Sequence, residues 1–517
     1  MNGAESLVHT LLACGVDTCF SNPGTSEMHF VAALDRIAGM RCILGLQENV
    51  VTGAADGYYR MTRKPAATLL HCGPGLANGL SNLHNARRAR SGIVNVVGDQ
   101  ATYHRPLDAP LTADAEGWAR PVSTFVRTTQ SSDKVGIDAA AAVQAARTAP
   151  GGIATLILPS DASWDEGGVV GTPLPVPAAA PADPHAVRNA ARVLRENKNV
   201  LILLGGEAVH ASAQRLAWRI ASMTGAHLMT EGSNARTERG QGRLPLERIP
   251  YANEPAVKAL APYGHIIMVN AVPPIGFFAY PGKPNRFYRD GAGLHVLTRF
   301  EQSADAALQA LVDELGAPPA AIPDNGPRPQ VPRGKPTPET LATTVAAVLP
   351  EGAVIVDESV SYGRGFFKNT HCAAPHDWLQ IMGGAIGAGV PLAVGTGVGL
   401  RALGANDRRV LALQADGSAM YTMQGLWTQA REKLPVTTVI LSNRKYQILL
   451  GEYMAVGANP GRTAMDMLDL GNPDIGWVKL AESLGMEGAQ ADNLETLGDL
   501  MAESFRRPGP FLIELAI

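Results

Sequence analysis

A chain of 517 residues is too long for one hydrophobic core, so two to four domains are expected. Its formal net charge of -3, carried by well-mixed charges, gives no electrostatic case for nucleic acid or an anionic membrane. Five cysteines (14, 19, 42, 72 and 372) lack metal-type or framework spacing, no signal-peptide pattern opens the chain and no apolar run is long enough for a membrane span, so a cytoplasmic location is expected.

In chain order, the short apolar runs DTCFS, RCILGL, AATLLH, GIVNVVG and IATLILP read as buried parallel strands. The Pro- and Ala-rich stretch 171-GTPLPVPAAAPADP-184 follows and fits a semi-rigid linker. Then come VLILLGG and HIIMVN, a second Pro-rich linker at 316–340, and finally AVIVDE, RVLALQAD, TTVILSN and PFLIELAI. Buried strands alternating with helical stretches imply three doubly wound α/β domains with parallel sheets, over 1–170, 185–316 and 338–517. Ligands of such sheets gather beyond the carboxyl ends of the strands.

Two strand ends in the last block suit a divalent cation and an anion together. Asp416 is followed by Gly417, which allows close approach of a ligand, and by Ser418, which suits a helix cap. A carboxylate beside an anion-binding helix start is repulsive unless a cation such as Mg²⁺ lies between them. Asn443 ends the next strand 27 positions later, and the Lys445 carbonyl two residues on would complete a hard oxygen shell. Further up the chain, 46-LQENVVTGAADGYYRMTRKP-65 sets Glu48 at a helix start among small residues, with Leu46, Val50 and Val51 as apolar neighbours. The run 381-IMGGAIGAGVP-391 is a glycine-rich turn, and Gly395 to Leu400 misses the dinucleotide pattern G-x-G-x-x-G.

Ala415-Asp416-Gly417-Ser418 and Asn443-Arg444, with Glu48 and the 381–391 turn, resemble the thiamin-diphosphate enzymes of the 2-oxo acid decarboxylase and acetolactate synthase family, although the leading Gly and the second Asn of the motif are altered. The resemblance spans the chain as pyrimidine-binding, central and diphosphate-binding domains. It implies Mg²⁺ at Asp416, Asn443 and Lys445, with the cofactor held by Ser361, Gly384, Ile386, Gly417 and Ser418. Glu48 would contact the cofactor's ring nitrogen as a carboxyl of raised pKa. The site would form between subunits, in a homodimer at minimum and a homotetramer by expectation.

The segments 21-SNPGTSE-27 and 70-LHCGPG-75 are similar to benzoylformate decarboxylase. That mapping implies Thr25 against the substrate carboxylate and His71 as a proton shuttle. Where that enzyme has a second histidine, 272-VPPIGFFAYPGKP-284 has none, and Tyr280 is the nearest protic group. Gln447, Ile448 and Glu452 would line the substrate pocket. The implied reaction is decarboxylation of a 2-oxo acid through an enamine to an aldehyde. Alternatives are acetolactate synthase-type carboligation and a cofactor-binding protein without turnover. Flavin adenine dinucleotide (FAD) in the central domain, near 200-VLILLGGEAVHAS-212, is the lesser expectation.

Overall fold

The computed structural model describes residues 1–517 and contains three sheets, each with helices on both faces. The first holds β1 (Thr18–Asn22), β2 (Arg41–Leu44), β3 (Ala66–Leu70), β4 (Ile93–Asp99), β5 (Phe125–Thr128) and β6 (Ile153–Pro159). Its order is β2-β1-β3-β4-β6-β5, and all its pairs are parallel. Every residue of β3, β4 and β6 is buried, which explains their unbroken apolar runs.

The middle segment supplies β7 (Val200–Leu204), β8 (His227–Thr230), β9 (Thr237–Arg239), β10 (Glu247–Arg248), β11 (His265–Val269) and β12 (Gly293–Thr298). Five of these form a parallel sheet in the order β10-β8-β7-β11-β12. The last segment supplies β13 (Val354–Glu358), β14 (His376–Gln380), β15 (Val410–Ala415), β16 (Val436–Ser442), β17 (Glu487–Ala491) and β18 (Phe511–Ala516), ordered β17-β18-β16-β15-β13-β14. This third sheet is not purely parallel. Strand β9 crosses over from the middle segment and adds to β14 as an antiparallel edge. No helix or strand lies between Trp164 and Pro184, or between Leu315 and Pro338, where linkers were expected. No helix is long and apolar enough to cross a membrane.

The first and third sheets share one core. Leu70, Ile93 and Val97 from one sheet, and Val354, Val356 and Ala412 from the other, belong to a single apolar cluster. The helices Glu48–Thr62 and Gly389–Ala402 pack between them. Small residues let their backbones touch: a Cβ at Gly395 would overlap the Ala54 carbonyl, and one at Gly57 the Leu392 carbonyl. Within the first helix, buried Asp56 and Arg60 form an ion pair at 2.6 Å. Arg60 also donates to the Gln380 carbonyl at 2.6 Å and to the Ala235 carbonyl at 3.3 Å, so one side chain ties all three segments together.

Candidate active site

The carboxyl end of β15 delivers Asp416 into a one-turn helix, Asp416–Ala419. Its carboxylate is buried and accepts from Gly417 N at 2.8 Å and Arg444 N at 2.7 Å. No lysine or arginine side chain pairs with it, and burial raises its pKa despite those backbone donors. Asn443 lies at the end of β16, and its Oδ1 accepts from Lys445 N at 3.0 Å. The Lys445 carbonyl accepts from Gln447 N at 2.9 Å, which leaves one lone pair. The turn 443–445 therefore folds over Asp416 through the Arg444 N–H. A buried carboxylate without a cationic partner, beside an amide and a carbonyl oxygen, is a hard-donor set that fits Mg²⁺. One expectation is corrected. Ser418 does not cap a helix; its hydroxyl donates to the Ala415 carbonyl at 3.0 Å, because the turn tightens at once.

The glycine-rich turn comes next to β13. Gly384 has a φ of +77°, and a Cβ there would strike the Phe277 ring. Its carbonyl and the Ile386 side chain could hold a planar heterocycle, as the resemblance implies. Glu358, which the sequence reading passed over, anchors this turn. It is fully buried and accepts from Gly387 N at 2.7 Å and Gly389 N at 2.5 Å. Burial pushes its carboxyl up to about 7 against those two donors.

A cavity of about 440 Å³ opens beside this turn and is lined by Ser361, Tyr280, Gln447, Ile448 and Glu452, with Phe277 between it and Gly384. Tyr280 donates to Glu452, and Tyr251 donates to its other oxygen at 3.3 Å. Burial and the Glu452 contact push the Tyr280 phenol well up. Tyr251 and Arg364 were missed because they come from segments far apart in sequence.

The N-terminal domain carries a second constellation. Glu48 starts its helix, capped by the Gln47 side chain, and its buried carboxylate accepts from Asn78 Nδ2 at 3.0 Å. Gly75 leaves it room, since a Cβ there would lie 2.9 Å from Glu48 Oε1. Val50 and Val51 are buried beside it, whereas Leu46 is 44% exposed rather than part of an apolar wall. At the end of β3, the His71 ring lies against Gly24, and its Nδ1 is 2.9 Å from Glu27 Oε2. Buried Glu27 also binds Gly24 N at 2.8 Å and the Ser26 hydroxyl, and so fixes the ring. Glu27 could have been suspected from its place in the turn, but an acid three residues after glycine reads as a capping residue. Thr25 is exposed and its side chain makes no hydrogen bond in the chain. Cys72 packs on Ser26 at 3.0 Å, and its thiol is pushed up to about 11, chiefly by burial.

The two constellations meet through Asn82, which donates to the Asn49 carbonyl at 2.8 Å and to the Gly387 carbonyl at 3.2 Å, yet Thr25, Glu48 and His71 do not line the 440 Å³ cavity. Three strand ends that carry them are strained. Cys72, Val360 and Arg444 adopt φ of 49°, 50° and 57°, a left-handed backbone that non-glycine residues rarely take.

The carboxyl edge of the central sheet is different. Its crevice holds only about 50 Å³. The Arg90 guanidinium stacks 3.1 Å from the Phe300 ring centre, and half-buried Glu231 accepts from Val272 N at 3.0 Å. Burial pushes Glu231 up to about 7. A flavin ring does not fit among these side chains as they stand.

Comparison with known proteins gives the family. Residues 1–118 match the N-terminal TPP binding domain of thiamine pyrophosphate enzymes, and residues 362–515 match the C-terminal one. A Mycobacterium tuberculosis protein provisionally named acetolactate synthase large subunit IlvX is 47% identical over 100% of this chain and 99% of its own length. Benzoylformate decarboxylase of Pseudomonas aeruginosa is 26% identical over 97% of this chain and 96% of its own. The solved structure of a thiamine diphosphate-dependent 4-hydroxybenzoylformate decarboxylase from Rhodococcus jostii superposes with a TM-score of 0.84 at 25% identity, covering 99% of this chain and 98% of that one. The chain belongs to the thiamine pyrophosphate enzymes, as a thiamin-diphosphate-dependent member of the decarboxylase and acetolactate synthase group.

Proposed function

We propose that the protein is a Mg²⁺-dependent 2-oxo acid decarboxylase, and that its active site forms between two subunits of a homo-oligomer, a homodimer at minimum and by proposal a homotetramer. The observation that carries the reaction is the Glu27–His71 pair: a buried carboxylate fixes Nδ1 and leaves Nε2 free to move a proton. Thiamin diphosphate, when bound, supplies the carbanion chemistry. Asp416, Asn443 and the Lys445 carbonyl would hold Mg²⁺ against the diphosphate. The turn anchored by Glu358 would present the Gly384 carbonyl, and Glu48 would hold a proton at the cofactor ring. Thr25 is free to receive the substrate carboxylate. Assembly across subunits draws on the family resemblance, and Glu48 and His71 lie outside the 440 Å³ cavity of their own chain.

The test is proton NMR of the protein with thiamin diphosphate and Mg²⁺, given pyruvate and benzoylformate separately. An aldehyde as the product is the expected result, and H71A should slow its release without loss of cofactor binding. The second reading, acetolactate synthase-type carboligation, draws on the 47%-identical relative's name. Acetolactate from pyruvate would favour it and sink the decarboxylase reading.

A further inference from the structure

The 440 Å³ cavity carries four charged side chains from separate segments. Two cancel: Lys283 pairs with Glu254. Glu452 is clamped by the Tyr251 and Tyr280 hydroxyls. Arg364 is left. Its guanidinium sits 4.7 Å from the Tyr251 ring centre, and no carboxylate or carbonyl of the chain accepts from it. The stack on Tyr251 orients the planar fork while its N–H groups stay unused.

We propose that Arg364 is a specificity-determining residue that receives a second anionic group, so the substrate is a 2-oxo acid bearing a distal carboxylate or similar anion. This rests on the 2-oxo acid reading above. The preferred partner of an unpaired guanidinium fork is a carboxylate, bound through two parallel hydrogen bonds. The carboxylate that leaves as carbon dioxide is a poor candidate for that contact. A strong ion pair to it would stabilise the ground state and be lost in the transition state, which slows the reaction. The fork therefore serves an anion that stays on the molecule. Tyr280 and Tyr251 assist by occupying Glu452, which reduces the repulsion that a bare carboxylate would exert on an anionic substrate. Phe277 and Ile448 cover the chain between the two ends.

The experiment is calorimetric titration of the thiamin-diphosphate- and Mg²⁺-loaded protein with glutarate and with butyrate, for the native chain and R364Q. Glutarate should bind at least about tenfold tighter than butyrate, and R364Q should erase the difference. Thiamin diphosphate affinity of R364Q should stay within about twofold of native. Equal binding of the two acids overturns the proposal. So does a large loss of thiamin diphosphate affinity in R364Q, which would assign the fork to the cofactor's diphosphate. Turnover is measured alongside with 2-oxoglutarate and 2-oxobutanoate. Preference for 2-oxobutanoate overturns the distal anion and leaves the decarboxylase reading intact. Turnover of neither, with the R364Q-sensitive glutarate preference retained, supports the anion site and counts against the decarboxylase reading.

Discussion

Two sheets of this molecule end in the same kind of place and use it oppositely. Beyond the carboxyl edge of the third sheet lies a cavity of about 440 Å³ bordered by Ser361 and Gln447. Beyond the carboxyl edge of the central sheet lies about 50 Å³, closed by Arg90 over Phe300 and by Glu231. Topology supplies a crevice at both edges. Side chains decide whether it is a site. At the third sheet, glycines at 384, 387 and 417 withhold bulk, and a buried aspartate lacks a cationic partner. At the central sheet, an arginine from the N-terminal domain fills the space and joins two domains.

The sharpest way to break this contrast is to disable the chemical edge while leaving its walls in place. E48Q should lower kcat by about 10²–10⁴-fold, with thiamin diphosphate affinity from fluorescence quenching nearly unchanged. Unchanged turnover would remove Glu48 from the chemistry and leave the third sheet's edge without the catalytic carboxyl that the N-terminal domain is proposed to supply. The next effect concerns what holds the edges in register. R60M strands Asp56 as a buried charge and cuts the tie to Gln380 and Ala235, which should cost about 3–5 kcal/mol in urea unfolding. A loss under 1 kcal/mol would mean that the apolar core shared by the first and third sheets aligns them alone.

The closed edge yields smaller effects, and they are structural. Burial raises the folded-state carboxyl of Glu231 from 4.5 to about 7. The folded state then binds a proton that the unfolded chain has released, so this contribution is full below pH 4.5 and is lost as pH rises through about 7. The loss is at most of order 3 kcal/mol. E231Q keeps an acceptor for Val272 N and should flatten the fall in unfolding midpoint over that window; an unaltered pH profile would show the carboxyl ionises freely. Smallest is F300A, which removes the surface beneath Arg90. It should cost about 1–2 kcal/mol and leave turnover unchanged. A fall in kcat would mean the closed edge communicates with the open one.

Much of this contrast was readable in the sequence, and what escaped has physical reasons. The strands β3, β4, β6, β7, β15 and β16 announced themselves because both their faces are buried, which demands continuous apolar residues. Strands β5 and β17 are half-exposed, so they lack such runs. Strand β14 is wholly buried yet reads as polar, HDWLQ, because Asp377 is neutralised by Arg236 at 2.8 Å and by Arg408. No local pattern reports partners from distant segments. The same divide runs through the site. Asp416, Asn443 and Lys445 follow the ends of the neighbouring strands β15 and β16, so their place at one sheet edge was readable from spacing. Arg364, Tyr251 and Glu452 meet only through tertiary packing, and Glu27 looked like an ordinary capping acid until His71 was seen beside it.

Strand β9 has a consequence for how this protein can be dissected and recombined. It is made with the middle segment but completes the sheet of the last one, pairing His376 with Arg239 and Trp378 with Thr237. A fragment starting near residue 338 would leave the β14 edge bare, with unpaired backbone groups ready to join another chain. Exchange of the central unit between relatives must therefore carry a compatible β9, or the recipient loses the rim of a sheet it does not encode. The three units are modular in their cores and interlocked at one border, so lineages could vary the central crevice freely only while that short strand kept its register.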